Sequence, residues 1–68
     1  MKKLSVSLSG HRTSISIENE FFDALQKIAA IEKRSIAAII AEIDEMRDGR
    51  SNLSSAVRVW VLRRAMRD

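Results

Sequence analysis

The chain has 68 residues, with 12 Lys and Arg against 9 Asp and Glu, one His, no Cys and no Pro. This length suits one domain, and the lack of cysteine excludes disulfides and thiolate metal sites. A single His excludes the common two-His metal motifs, and no glycine-rich phosphate loop occurs. We therefore expect no enzyme, no metal and no cofactor, and we expect so small a domain to gain stability by oligomerising.

Charge is distributed unevenly along the chain. Residues 1–17 contain three bases and no acid, giving +3. Residues 18–50 contain five bases and eight acids, giving −3, and residues 51–68 contain four bases and one acid, giving +3. Scattered charges on helices keep a small protein soluble. For the acid-free N-terminal segment we favour an anionic partner, because basic segments attract phosphate.

No segment has the composition of a membrane span or of a secretion signal. The longest unbroken apolar run covers residues 36–41, far short of the roughly 20 residues that a span needs. Serines interrupt the apolar residues that follow Lys2 and Lys3, so no signal sequence is predicted. We expect a cytoplasmic protein with no membrane partner.

Apolar and polar side chains alternate through residues 4–17, the period-two pattern of a strand. Ser9-Gly10 interrupts the pattern and suits either the two-residue loop of a hairpin or a bend that leaves only 11–17 as a strand. The sequence leaves both open. In the hairpin, the cross-strand pairs would be Leu8 with His11, Val6 with Thr13 and Leu4 with Ile15. The polar face would carry Lys3, Ser5, Ser7, Arg12, Ser14 and Ser16.

After Ile17 the period changes, and apolar residues recur at intervals of three and four. We predict helices over about 19–33, 36–47 and 52–67 within a single domain of residues 1–68. The predicted N-caps are Asn19, Ser35 and either Ser51 or Asn52, because their side-chain oxygens accept from free N–H groups of the first turn.

The third predicted helix carries more apolar surface than one burial partner can cover. Its expected stripe consists of Leu53, Ala56, Val57, Trp60 and Val61. The unbroken apolar run 59–62 extends around more than one face of the helix. We expect a second subunit or another protein to cover the remainder.

A basic strand followed by two amphipathic helices, over residues 12–43, resembles the ribbon-helix-helix family of bacterial DNA-binding proteins. The amino-acid sequence is also similar to a small branch of that family. The similar residues are the GHRTS segment at 10–14, where the strand begins, and Glu18. Ile43-Asp44 and the segment 52–62 match the same branch. The resemblance therefore covers nearly the whole chain.

The resemblance implies a mainly α fold with a short β element, in which strands of two subunits pair antiparallel in an interlocked homodimer. The third helix is an addition to the strand and two helices. The ribbon of such a dimer enters the major groove of double-stranded DNA. Base contacts then fall on Arg12, Ser14 and Ser16. Phosphate contacts fall on Lys3, His11, Lys33, Arg34, Ser35 and Ile36. Dimer or partner contacts fall on Ile15, Ile17, Phe22, Ile40, Val59, Trp60 and Leu62.

Two functions follow from these expectations. The first is a homodimeric DNA-binding transcriptional regulator of bacteria. The alternative is a protein-interaction or assembly module, including an antitoxin, that uses the apolar face of the third helix, which also offers a way to join dimers into tetramers. The alternative is favoured by a ribbon of two arginines and four serines, because serine reads bases weakly. Ser35 either anchors a phosphate or only caps its helix.

Overall fold

Two strands precede three helices in the structure, a computed structural model that describes residues 1–47 and 52–67. The strands are β1 (Lys2–Leu8) and β2 (His11–Ile17), and the helices are α1 (Asn19–Glu32), α2 (Ile36–Met46) and α3 (Leu53–Met66). A two-stranded antiparallel sheet followed by helices confirms the expected mainly α fold with a short β element, and α3 is the additional C-terminal helix.

β1 and β2 form a hairpin, so the structure decides between the two alternatives for residues 4–17. Leu8 pairs with His11, Val6 with Thr13 and Leu4 with Ile15, in the register of the predicted hairpin. The turn residues Ser9 and Gly10 have φ of 51° and 81°. Positive φ at both central positions is what a type I′ turn requires, and this turn matches the twist of paired strands.

One face of the hairpin is buried against the helices. The largest fully buried side chains are Ile17, Leu25, Ile39, Ile40 and Val57, and all five elements contribute to one apolar core. α2 packs on β1, while α3 packs on β2 and on both other helices. The third helix is therefore part of the chain's own core, and its packing fixes the hairpin relative to the helices.

Local side-chain bonds begin two of the three helices. The Ser35 Oγ accepts from the Ala38 N–H at 3.0 Å, and the Asn52 Oδ1 accepts from the Ser55 N–H at 3.3 Å. Asn19, in contrast, is the first residue of α1 and not its cap, so that prediction was wrong. Glu18 occupies the cap position without a capping bond, because its carboxylate binds a side chain of α3 instead.

The connection between α1 and α2 is short and tightly bonded. Lys33 ends α1 in the left-handed conformation, with φ of 55°. The Arg34 N–H donates to the Ala29 carbonyl at 3.0 Å, the six-to-one bond of a Schellman motif. This turn places Ser35 directly at the start of α2.

Ion pairs join the helix ends around Glu32. Arg34 lies 3.2 Å from Glu32 and 2.7 Å from Glu42, measured between nitrogen and carboxylate oxygen. The Arg64 Nε lies 2.8 Å from the Glu32 Oε2, although its N–H is not aligned for a hydrogen bond there. Partly exposed pairs of this kind stabilise by about 0–1 kcal/mol each. Their main effect here is to set the relative positions of α1, α2 and α3.

Candidate nucleic-acid interface

The side of the hairpin that faces away from the core carries six exposed side chains and no acid. We call it the outer face, and it consists of Lys3, Ser5, Ser7, Arg12, Ser14 and Ser16. The strand register sets Lys3 opposite Ser16 and Arg12 opposite Ser7, with two serines opposite each other between these pairs. The outer face is thus a row of hydroxyls with one base towards each end.

The hydroxyls of the outer face are free to serve as donors or as acceptors. The Ser5 and Ser14 oxygens lie 3.4 Å apart, at the long end of hydrogen-bond distance, and either oxygen can donate. A hydroxyl rotates to suit its partner and offers one donor and two acceptor positions. The face can therefore adapt to several base edges, but it selects among them weakly.

The outer face is held in place from behind by the apolar core. The residues that alternate with its side chains on the two strands include Val6, Leu8, Ile15 and Ile17, which are all buried. A sheet face supported by a packed core presents its exposed side chains at fixed spacing. Base recognition requires such pre-organisation, because each contact must meet a base edge in register.

The structure brings all three predicted base-contacting residues together on the outer face. Arg12, Ser14 and Ser16 are exposed on β2. Of the predicted phosphate contacts, Lys3 lies on the same face. His11 does not, because it is opposite Leu8 beside the turn and has the parity of the buried face, although it is exposed.

Sequence reasoning did not assign a role to two serines of the outer face. Ser5 and Ser7 are exposed on β1 beside Ser14 and Arg12. The same alternation that selected the β2 residues points to them once the hairpin register is known. The outer face of one chain therefore spans two strands, whereas the resemblance assigns one strand to each subunit.

The start of α2 contains the other predicted phosphate contacts. Ser35 is exposed, and its oxygen is occupied by the Ala38 N–H, while the N–H groups of Ile36 and Ala37 belong to the first turn, where anions bind. Lys33 is exposed beside it. The guanidinium of Arg34 is already engaged by two carboxylates, which offset its charge.

Three residues predicted to contact a partner are buried by their own chain. Ile17 and Ile40 have no exposed surface, and Ile15 is 5% exposed. The physical reason is that α3 packs on β2 and α2, providing the cover that the resemblance assigns to a second subunit. Within the single chain these three side chains are core residues. Phe22 is half-buried, with the Lys2 ammonium 5.2 Å from its ring centroid.

The predicted partner contacts on α3, in contrast, are not fully buried. Val59 and Leu62 are 45% and 53% exposed, although the opposite stripe of the same helix is buried. Trp60 is half-buried and lies under the Arg64 guanidinium, 4.6 Å from its ring centroid. The apolar surface of α3 thus exceeds what this chain covers, as the sequence predicted.

A long-range ion pair fixes the end of the hairpin to α3. The Arg58 Nε donates to the Glu18 Oε1 at 2.7 Å, across 40 positions of sequence. This hydrogen bond, aided by a backbone N–H, lowers the pKa of the Glu18 carboxyl below its ordinary value of 4.5. The pair joins the last residue before α1 to the middle of α3.

The part of the chain that the structure describes contains neither a metal-binding cluster nor a helix that could cross a membrane. Residues 1–47 and 52–67 contain no cluster of His, Cys, Asp or Glu that could hold a metal ion. In the same residues, no helix is long and apolar enough to cross a membrane.

A two-stranded antiparallel hairpin with a basic, acid-free outer face thus precedes helices that bury its other face. A family model described as "Ribbon-helix-helix domain" matches residues 1–65, nearly the whole sequence, and the chain belongs to that family. Members generally bind DNA as transcription regulators or antitoxins, typically dimerise, and are typically not enzymes. Neither the curated proteins nor the solved structures compared with the chain gave a match.

Proposed function

We propose that the chain is a homodimeric DNA-binding regulator of bacterial transcription that inserts an antiparallel β-ribbon into the major groove of double-stranded DNA. The observation that carries this proposal is the outer face: exposed, rigidly backed, basic and without any acid. A two-stranded β-ribbon fits the major groove, which is about 12 Å wide. Phosphate attraction supplies the affinity, and the side chains of the ribbon supply the base preference.

Two observations support the dimer. The strands have unpaired edges, and members of the family typically dimerise. In the two-stranded sheet, β1 and β2 each pair on one side only, which leaves one edge of each strand without a strand partner. An unpaired edge is a template for another strand. Pairing of β2 with the β2 of a second copy gives a four-stranded sheet with one continuous outer face.

The width of that sheet assigns different roles to its strands. Neighbouring strands lie about 4.8 Å apart, so four strands span about 14 Å. This exceeds the groove width of about 12 Å, so only the two central β2 strands enter it. Arg12, Ser14 and Ser16 then face base edges, and Lys3 on the flanking β1 lies near the phosphates.

Arg12 is the residue on which base recognition rests. Its planar guanidinium can donate two parallel hydrogen bonds to O6 and N7 of guanine, a contact worth about 1–3 kcal/mol of discrimination. A serine hydroxyl bonds to several bases and discriminates little. We therefore expect a short operator with one guanine-dependent position in each half-site.

The start of α2 supplies a second contact, to the DNA backbone. The N–H groups of Ile36 and Ala37 and the positive end of the helix dipole favour a phosphate there. Lys33 adds an exposed positive charge. Arg34 contributes less to this contact, since it is paired with Glu32 and Glu42.

The first test is selection from random-sequence duplex DNA, with the retained sequences read at about 50 mM and about 200 mM salt. We expect an enriched palindromic motif that survives the higher salt, bound by a species of twice the 7.7 kDa chain mass in sedimentation equilibrium. Retention without any motif, lost at higher salt, would leave only a basic surface and would contradict the proposal.

Arg12→Ala, with Arg63→Ala as matched control, links the motif to the outer face. Both variants remove one exposed guanidinium, but Arg63 lies on α3. We expect Arg12→Ala to weaken binding of the selected duplex by about 1–3 kcal/mol and to relax one position per half-site. Arg63→Ala should bind as the wild type does. Equal binding by Arg12→Ala and wild type would contradict the proposal.

A further inference from the structure

A second exposed surface lies between the C-terminal end of α2 and the outer side of α3. The two helices border a groove of about 570 Å³. Met46, Val59 and Trp60 are apolar side chains in its lining, and Arg63, Arg64 and Arg67 surround them. We call it the α2–α3 groove. The hairpin outer face does not contribute to it, so its occupant is a separate question from DNA binding.

The apolar part of the groove is unusually open to solvent. Met46 is 63% exposed and Val59 is 45% exposed. Leu62 and Met66 do not line the groove, but both are exposed on α3, and Leu62 lies one helical turn beyond Val59, beside the groove. Exposed apolar patches with a polar rim mark interaction sites. Methionine is flexible and polarisable, so it can adapt to different apolar side chains of a partner.

The charge of the groove is one-sided. No acidic residue lines it among the residues that the structure describes. Arg64 is held against Trp60, and its charge is offset by Glu32, so it adds little net charge to the groove. Arg63 and Arg67 are exposed and have no carboxylate partner in the described part of the chain. Two guanidinium groups are therefore available to a ligand.

The length of the groove suits a helical segment. On the α3 side its lining runs from Ser55 to Arg67, which corresponds to about 18 Å at 1.5 Å per residue. A partner helix of similar length can place apolar residues at i, i+3, i+4 and i+7 on this surface. Its flanking carboxylates would meet the arginines in charge-assisted hydrogen bonds.

The same features disfavour two other occupants. A second copy in a two-fold contact would bring the same patch against itself, so that Arg63 and Arg67 would face like charges. A DNA backbone would match the arginines but would cover Met46 and Val59 without any apolar contact in return.

From this we infer that the α2–α3 groove binds an acidic amphipathic helix of a partner protein. Apolar side chains of that helix lie on Met46, Val59 and Leu62, and its carboxylates pair with Arg63 and Arg67. The inference does not depend on the proposed DNA binding, because the two surfaces share no residue.

The test uses the full chain and a displayed library of random 16-residue peptides. We expect the selected peptides to be acidic and to carry apolar residues at helical spacing. Trp60 is the only tryptophan of the chain, so its fluorescence reports directly on occupancy of the groove. Basic or neutral selected peptides, or acidic peptides that leave this fluorescence unchanged, would overturn the inference.

Two exposed variants then localise the binding. Arg63→Glu should weaken a selected peptide at least tenfold, whereas Lys27→Glu, the same type of charge reversal on α1, should not. Leu62→Ser should also weaken it at least tenfold while leaving the circular dichroism spectrum unchanged. Equal binding by Arg63→Glu and Lys27→Glu would overturn the role of charge. Loss of a dimer in Leu62→Ser, seen by sedimentation without peptide, would assign the groove to a second copy instead.

Discussion

The two exposed surfaces of this small domain differ in chemistry although they share one core. The hairpin outer face presents hydroxyls between two bases, with its apolar residues turned inwards. The α2–α3 groove presents methionine, valine and indole surface with arginines around it. Positive charge is common to both surfaces. What distinguishes them is the apolar area left uncovered.

That difference shows how the class of partner can be inferred in a basic protein. Phosphate backbones and base edges offer hydrogen-bonding groups, so a polar face such as that of Ser5 and Ser14 suits them. An uncovered apolar surface is stabilised only by contact with apolar side chains, which a protein partner provides. Charge alone does not separate the two, because arginines attract phosphates and carboxylates alike.

The largest effect is expected where both surfaces are disrupted together. Ile17 is fully buried beneath the outer face and lies in the core that also holds α3. Ile17→Ala should lower the free energy of unfolding by about 2–5 kcal/mol, through lost burial and the cavity left behind. Urea denaturation measures this change. Ile31→Ala is the control, because Ile31 is 78% exposed, and we expect a change within about 0.5 kcal/mol. Equal losses in both variants would contradict the described core.

One substitution placed on each surface separates their functions. Ser14→Asp puts a negative charge on the outer face and should weaken binding of the selected duplex by about 1–3 kcal/mol, through repulsion of phosphate and loss of a base contact. Ser55→Asp puts the same charge into the lining of the α2–α3 groove.

The two Asp variants should show opposite patterns. Ser55→Asp should weaken a selected acidic peptide and leave DNA binding unchanged, while Ser14→Asp should leave peptide binding unchanged. The acid is compatible with the first turn of α3, whose N-terminal dipole favours it. Fluorescence anisotropy with labelled duplex and labelled peptide measures all four affinities. If either variant weakened both ligands equally, the two surfaces would not be independent.

A smaller effect is expected at the edge of the ribbon. Lys3→Ala should weaken DNA binding to a similar extent for every sequence, and should reduce the slope of log affinity against log salt by about 1 for each contacted phosphate. Lys27→Ala removes the same charge from an exposed position of α1 and should leave the slope unchanged. Altered base preference in Lys3→Ala would indicate that β1 lies at the centre of the major groove and not at its rim.

The smallest effect concerns the ion pair that joins the hairpin end to α3. Because the pKa of Glu18 is lowered in the folded chain, mainly by the hydrogen bond from Arg58, the pair stabilises the fold above the ordinary pKa of 4.5. This stabilisation is lost as the pH falls through the lowered pKa. Glu18→Gln should therefore unfold at a lower temperature than the wild type at pH 7, and the difference should vanish in strong acid. A difference that persists or grows on acidification would contradict this assignment.

Local patterns in the sequence predict the parts of the fold that depend on near neighbours. The alternation on both sides of Ser9-Gly10 predicts the correct hairpin register. It does not exclude a bend at these two residues, because formation of the turn depends on burial of one face of the strands by the rest of the fold. The capping role of Ser35 follows from its place before an apolar helical stretch, whereas the sequence left Ser51, which lies outside the described residues, and Asn52 as alternatives for the third helix. The buried stripe of α3 follows from its spacing.

Features that depend on distant contacts could not be predicted in this way. Glu18 and Arg58 are 40 positions apart, and no sequence pattern joins them. The same holds for Arg34 and Glu42, because the turn between α1 and α2 brings them together. The sequence identifies Ile40 only as an apolar residue that must be buried. Whether its own chain or a second subunit covers it depends on the path of α3.

The most direct test of the central claim is to map where DNA touches the protein. Backbone amide chemical shifts of 15N-labelled protein would be followed as the selected duplex is added. We predict that the largest changes fall on β2 around Arg12 and Ser14 and at the start of α2, with the α2–α3 groove unaffected. Changes confined to the α3 arginines Arg63 and Arg67, with the outer face of the hairpin unchanged, would contradict the account.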